Sequence, residues 1–420
     1  MNLFDKILDL IALPIRKLWR VAAHGTPQEQ FRVIFTIAVL MVVLSYFTVT
    51  DYIFFIGYDE RTFLMAANSL SFGDVDIYRT PVYPLLCRIC IILGGEYYLW
   101  LIGLSQIAIF LLSVVAMHKA SCILAPQRPF IRFIAEACYS CNSAVCLWVF
   151  NILAESLSIS CVVFLAYLLI KLLKNQGSAW LGFGVSVLYL IMLFLKPYFI
   201  CFAPVVLIAM AMAWRKASAS TRWAFVLGIM LNVGTYTLYC HQFEKKFGIF
   251  ATTGIGVQNM VFHIGSFQKV IEHNTNPAPE LGHSWIAAES IKPVKEYCIS
   301  TIKNKPILYA KILTAQFVTA GKSPIPSHKW DEEKYTTIYP QLPLRLWEFL
   351  LILFIFRHLW RWRKRNANVQ THAILALLVI SGVFTAIAGS GFGDYPRLLM
   401  PVYPILCLII AAPGNFREEE

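Results

Sequence analysis

The chain has 420 residues, 58% of them hydrophobic and 14% charged, with a mean hydropathy of +0.62. That balance leaves too little polar surface for a soluble core of this length and points to a polytopic membrane protein. The formal net charge of +12 sits in short basic clusters between apolar runs, which fits the positive-inside rule and anionic lipid rather than nucleic acid.

Residues 1–31 open with Phe4, Ile7, Leu8, Ile11, Ile15 and Leu18 on one helical face and Lys6, Arg16, Lys17 and Arg20 around it. This predicts an interfacial amphipathic helix on the cytoplasmic side, kinked or interrupted at Pro14, and no cleavable signal peptide is expected. A bilayer crossing needs about twenty mostly apolar residues, and about ten such runs follow. They are Phe35–Phe55, Tyr98–Met117, Phe130–Phe150, Leu157–Leu173, Trp180–Leu195, Phe199–Trp214, Trp223–Tyr239, Leu346–Trp360, Ala373–Ala388 and Leu398–Ala412. Val82–Leu93 is too short to cross and reads as a juxtamembrane helix. The expected fold is therefore an all-α polytopic bundle. Residues 32–240 form an N-terminal membrane module whose first outer loop is 51–80; 241–343 form an outer region, 344–413 the last membrane helices, and 414–420 a cytoplasmic tail.

Orientation follows from the loops. Arg16, Lys17, Arg20 and Arg32 precede the first span; Lys119 and Arg128, Lys171 and Lys174, Arg215, Lys216 and Arg222, and the run Arg357 to Arg365 follow at alternate turns. All fall on one side, which the positive-inside rule makes cytoplasmic. Facing outward are Asp51–Thr80, Asn151–Glu155, Lys196–Tyr198, His241–Pro343 and Gly389–Arg397. The long outer stretch exceeds a plain loop, holds a helical-looking piece at Lys305–Ala320, and reads as a small domain or cap. Trp214, Trp223, Trp330, Trp347 and Trp360 fit an interfacial belt.

Cysteines lie mostly in apolar runs, where they behave as small hydrophobes. Cys138 and Cys141 form a CxxC without a second ligand pair, so a metal or redox role is disfavoured. Cys240 lies beside the outer region and Cys298 within it, and whether they pair stays open. His263, His273 and His283 recur at intervals that match no metal-ligand spacing. No P-loop, GxGxxG or GxSxG stands in a supporting context, which argues against an ATP-driven pump and a hydrolase of the usual design.

Charged groups beside hydrocarbon are costly unless paired or functional. Tyr58–Asp59–Glu60, Asp74, Asp76 and Arg79 crowd the first outer loop. Glu155 starts the helix after the third span, Lys196 lies between two spans, and Asp394–Tyr395–Pro396–Arg397 precedes the last. Brought to one outer pocket, they could run substitution at a sugar carbon. A carboxylate would act as general base on an acceptor hydroxyl, and Arg79, Lys196 and Arg397 would hold a phosphate leaving group. One positioned base suffices if the anomeric configuration inverts. Plainer readings stand beside these: an acidic pair at a helix N-terminus for Asp59 and Glu60, a snorkelling Arg79, a helix-start Glu155, and interfacial anchors at Lys196 and Arg397.

These residues also carry a resemblance. Tyr58–Asp59–Glu60 with the helix after it, Arg79–Thr80–Pro81–Val82–Tyr83–Pro84, the Ala154–Glu155–Ser156 turn, Lys196–Pro197, and Tyr395–Pro396–Arg397 with Pro401 and Pro404 resemble the GT-C-fold glycosyltransferases that use polyprenyl-phosphate sugars. That group includes protein O-mannosyltransferases and lipid A aminoarabinose transferases. The resemblance covers the first two hundred residues and the last thirty, and an O-antigen-modifying glucosyltransferase of the phage- or island-encoded kind would be one case within it. It implies a GT-C-like bundle in a bacterial inner membrane with its active site facing the periplasm. It further implies an undecaprenyl-type phosphate-sugar donor, and as acceptor a lipid-linked or cell-surface glycan of lipopolysaccharide.

Asp59 is the implied base, supported by Glu60, and Arg79 the implied contact to the donor phosphate, with Tyr58, Tyr83, Glu155, Asp394 and Tyr395 in support. A divalent cation, Mg2+ or Mn2+, on Glu60, Asp74 and Asp76 is left open, as is the division of labour among the loop's carboxylates. The competing class is a transporter or flippase of lipid-linked sugars. Its expected internal repeats and polar mid-membrane breaks are not seen in runs such as Val162–Ile170. A non-catalytic scaffold would not need the outer charges.

Overall fold

The computed structural model describes residues 3–48, 58–71, 74–174, 178–215, 217–271, 290–319, 369–389 and 398–412. Every regular element among them is helical. In chain order they are α1 (Leu3–His24), α2 (Pro27–Thr48), α3 (Tyr58–Ser69), α4 (Val82–Gly94), α5 (Tyr98–Leu124), α6 (Pro129–Ser140), α7 (Ser143–Trp148), α8 (Glu155–Lys174) and α9 (Ala179–Leu195). There follow α10 (Ala203–Trp214), α11 (Ala219–Phe247), α12 (Ile255–Ile271), α13 (Ile291–Asn304), α14 (Pro306–Thr319), α15 (Val369–Gly389) and α16 (Tyr403–Ala411). Among the described residues, five stretches are long and apolar enough to cross a membrane: Pro27–Phe47, Val82–Leu124, Glu155–Lys174, Pro197–Trp214 and Ala219–Phe247. Three shorter apolar helices, Ala179–Leu195, Gln370–Ala386 and Met400–Ala411, join them. The chain is thus a helical membrane protein, and the expected span Leu346–Trp360 lies outside the described residues.

Local sequence explains most boundaries. Helix α2 begins eight residues before the expected Phe35, because Thr26 and Glu29 close a capping box ahead of Pro27. The Thr26 N–H donates to Glu29 Oε2 at 2.8 Å, and the Glu29 N–H to Thr26 Oγ1 at 3.3 Å. Helix α1 runs through Pro14. Ser178 caps α9 and Ser218 caps α11, while Gly248, at φ +73°, supplies the left-handed residue that ends α11.

The expected third span, Phe130–Phe150, is not one helix. It stops at Cys141, restarts as α7 where the Asn142 side chain accepts from the Val145 N–H at 3.2 Å, and unwinds again before α8. Helix α4 has 13 residues, fewer than the roughly twenty a crossing needs, and leads through 95–97 into α5 within the apolar stretch Val82–Leu124. It folds back at Gly95 (φ +49°) onto the start of α5, with Gly94 against Leu101.

One large core joins α2, α4–α10, α15 and α16. Its helices alternate between two ends. The side chain of Gln106, early in α5, meets the carbonyls of Val149 and Asn151. Ser113 and Tyr139 are hydrogen-bonded at 2.6 Å, and the end of α5 lies beside the start of α6, where Gln30 also reaches the Pro129 carbonyl at 2.9 Å. Helix α8 leaves the Gln106 end, α9 returns to it, α10 leaves it, and α11 returns. The basic residues of 16–32, 119–128 and 171–174, with Arg215 and Arg222, lie toward the far end, as the loop charges predict.

Helices α9 and α11 approach through small residues. A Cβ on Gly228 would stand 2.1 Å from Ser186 Oγ, and one on Gly182 2.2 Å from the Phe225 ring. Asn232 Nδ2 stitches the pair by donating to the carbonyls of Ser186 (3.0 Å) and Gly228 (2.8 Å).

In the outer region, α12, α13 and α14 pack together. Cys298 sits between Val261 and Ile264, and His263 Nδ1 is hydrogen-bonded to the Tyr309 hydroxyl at 3.0 Å. Cys240 and Cys298 are both buried free thiols, so the pairing left open from sequence is absent. His273 and His283 lie outside the described residues.

Candidate functional site

The polar layer at the Gln106 end is built from the loop between α3 and α4. Asp76 Oδ1 accepts the backbone N–H of both Tyr78 (2.8 Å) and Arg79 (2.7 Å), which fixes the turn that delivers Arg79. The Arg79 side chain is 8% exposed. Its Nε donates to Thr62 Oγ1 at 2.7 Å, and its guanidinium lies 4.1 Å from the Phe63 ring centroid. Arg79 is thereby clamped to α3, one turn from Glu60, whose side chain is fully buried. Tyr58 and Asp59 open α3, and their side chains lie outside the described residues, as do Asp394, Tyr395 and Arg397.

Thr80 ties this loop to the end of α9 by donating to the Leu195 carbonyl at 3.2 Å. The next residue, Lys196, forms an ion pair with Glu155 Oε1 at 2.9 Å, the two side chains being 13% and 4% exposed. The Lys196 ammonium also stands 5.4 Å from the Tyr198 ring. From α4, the Tyr83 hydroxyl donates to Gln106 Oε1 at 3.1 Å, and Gln106 Nε2 donates at 2.9 Å to the carbonyls of Val149 and Asn151. Tyr83 is within electrostatic reach of both Glu60 and Glu155. Among the described residues, the buried Asn151 Nδ2 finds no acceptor.

The rim is closed by α11, α12 and α15. Lys246 donates to Asp74 Oδ1 at 2.6 Å, and this hydrogen bond holds the Asp74 carboxyl below its usual range. Thr253 donates to the Tyr78 carbonyl at 2.8 Å, and the Gly254 N–H to that of Ile77 at 2.6 Å. A Cβ on Gly254 would meet Ile291 at 2.5 Å and the Ile77 carbonyl at 3.1 Å, so this close approach needs glycine. Asn259 donates to the Gly389 carbonyl at 2.8 Å, which brings the end of α15 alongside Tyr198.

Of the residues singled out from sequence, Glu60, Arg79, Tyr83, Glu155 and Lys196 come together. Asp74 and Asp76 do not join them as free carboxylates, since the first is bound to Lys246 and the second to backbone N–H groups. Among the described residues, neither belongs to a set of three metal-ligating atoms in mutual reach. Thr62 and Gln106 are not singled out by the sequence, and Thr80, Asn151 and Tyr198, though they stand in its outward turns and motifs, receive no role there. Gln106, a lone amide in the apolar run of α5, carried a readable signal; the hydroxyls did not.

Next to this layer, α9, α10 and α11 enclose a cavity of about 190 Å³ lined by Tyr189, Leu193, Ile200, Met210, Val233 and Tyr236 among others. Leu193 and Ile200 flank Lys196 in the chain. No family model and no curated protein matches this chain.

Proposed function

We propose that this protein is an inverting glycosyltransferase of the GT-C kind, moving a sugar from a polyprenyl-phosphate donor to a hydroxyl of a glycan or lipid-linked acceptor on the periplasmic side of a bacterial inner membrane. The observation that carries this reading is the meeting of Arg79, Lys196, Glu155, Glu60 and Tyr83 at the end of the bundle opposite the basic loops. A cluster of that cost, away from the basic loops, is expected where a charged substrate group is handled. The Arg79 guanidinium supplies a fork for a phosphate, and Lys196 a point charge that can exchange Glu155 for the donor. Asn151 Nδ2 offers a further buried donor. The apolar cavity beside Lys196 suits the donor's lipid chain.

In this reading Asp59, at the N-terminus of α3, takes the acceptor's proton. Glu60, buried behind it, orients the helix start and Arg79. As the glycosidic bond to phosphate breaks, negative charge grows on the phosphate oxygens, where Arg79 and Lys196 stabilise it. The sugar carbon inverts under attack by the acceptor oxygen.

The test is transfer of labelled sugar from a polyprenyl-phosphate donor in membranes holding wild type, Asp59→Asn, Glu60→Gln or Arg79→Ala. Asp59→Asn is expected to abolish transfer while donor still binds, and Arg79→Ala to lose donor binding. A folded Asp59→Asn protein that transfers at the wild-type rate would sink the base assignment. Donor that crosses the bilayer without sugar transfer would instead favour a flippase.

A further inference from the structure

A second polar cluster lies at the far end of α5. His118 and Cys122 are one turn apart on α5, and Glu136 faces them from α6. One ligand atom from each lies within 4.8 Å of the others. His118 Nδ1 is 3.0 Å from both Glu136 oxygens and 4.0 Å from Cys122 Sγ. Glu136 is 1% exposed. Ser121 donates to its Oε1, while Arg132, one turn away on α6, is engaged elsewhere, by Gln30 Oε1 and the Pro126 carbonyl. The Phe31 ring covers the imidazole, with ring centroids 4.9 Å apart.

We propose that His118, Cys122 and Glu136 form a binding site for a divalent cation of the zinc class. A tetrahedral zinc at ordinary bond lengths sets its nitrogen and oxygen ligands about 3.3 Å apart and its nitrogen and sulfur ligands about 3.6 Å apart. The 3.0 Å between Nδ1 and the Glu136 oxygens is already near the first value, while Cys122 Sγ, at 3.5 Å from Nε2 and 4.0 Å from Nδ1, has to swing to another rotamer to share a metal on Nδ1. Spacing i, i+4 on one helix places both α5 ligands on one face, and the third arrives from a second helix. The charges agree. With metal bound, a neutral imidazole, a thiolate and a carboxylate would carry two negative charges, which a divalent ion cancels. Ser121 orients the carboxylate as an outer-shell partner does. His118 and Cys122 are partly exposed, so water can reach the site as a fourth ligand. Binding would release the Cys122 proton to solvent and pin α5 to α6.

This site is independent of the transfer reaction, and its test does not use activity. The full-length protein, purified in detergent without chelator, is analysed for metal content, then stripped and titrated with Co2+. About one zinc per chain is expected. Co2+ should give visible d–d bands with a near-ultraviolet thiolate charge-transfer band. Cys122→Ser is expected to remove the charge-transfer band, and His118→Gln with Glu136→Gln to bring bound metal to background, with elution and melting profiles confirming folded protein. A wild-type protein that holds no stoichiometric zinc and gives no thiolate band with Co2+ would overturn the site and leave a hydrogen-bonded trio. A band unchanged in Cys122→Ser would place the metal elsewhere.

Discussion

Lys196 and Glu155 form an ion pair nearly closed to solvent, and removing one partner leaves the other a buried charge that has lost this counter-ion. Loss of one member of a buried pair costs about 3–5 kcal/mol, while removal of both costs much less. Lys196→Met and Glu155→Gln are each expected to lower the melting midpoint of the detergent-solubilised protein more than the double variant does. Additive losses in such a cycle would show that the pair is not coupled. Cys298 offers a second check. Burial pushes its thiol up to about 11, and Cys141 is raised to about 11 as well, so both stay protonated at neutral pH. Cys298 is buried and Cys141 exposed, so Cys298 should react with maleimide much more slowly than Cys141. Raising the pH toward 11 should accelerate Cys298 labelling; fast labelling at pH 7 would contradict its burial.

At the rim, Asp74 is held below its ordinary range by Lys246. Its contribution to stability is therefore present above the unfolded carboxylate value and is lost as pH falls through the lowered one. Both side chains are about half exposed, so screening limits the effect to roughly 0–1 kcal/mol. Asp74→Asn should leave the neutral-pH melting midpoint within a few degrees of wild type and flatten its acid dependence. Arg79, Glu155 and Lys196 were legible in the sequence because each is a charge set against apolar runs. Thr62 and Thr80 were not, because a hydroxyl beside a membrane helix is commonplace until its partner is known.

Among the elements, α9 and α11 depend on glycine for their close approach. Gly228→Leu would drive its side chain into Ser186 and is expected to cost about 1–3 kcal/mol by overpacking. A thermal melt reads this directly, and an unchanged midpoint would mean the helices can separate. Most helices were readable from apolar run length, and α8 and α9 start within about two residues of expectation, inside ordinary boundary uncertainty. The failures have local causes. At α2 the capping box at Thr26 and Glu29 outweighs the polar residues that follow it. At α6 and α7 the asparagine cap and the carbonyls satisfied by Gln106 make a stop inside an apolar run tolerable, and hydropathy alone does not register either.

For the molecule as a whole, the alternation of helices puts the Arg79–Lys196 layer and the basic loops at opposite ends. Glu244→Cys and Gln127→Cys, each made in a Cys141→Ser background, should react with an impermeant thiol reagent from opposite sides of sealed vesicles. Labelling of both from one side would dismantle the topology. The even alternation of charge in the loops made this arrangement legible, whereas the distances between layers required coordinates. Gln106 and His118 are separated by 12 positions on α5, or about 18 Å along its axis, against roughly 30 Å for a hydrocarbon core. Where water reaches both polar layers, the insulating part of the protein is that thinner slab. A transmembrane voltage then falls across it alone, so the local field is steeper by roughly 30/18, or about 1.7-fold. A charge shifted by even a few ångströms between the layers would do electrical work in the membrane potential, so charge movement in this protein is a quantity to be measured under voltage as well as at rest.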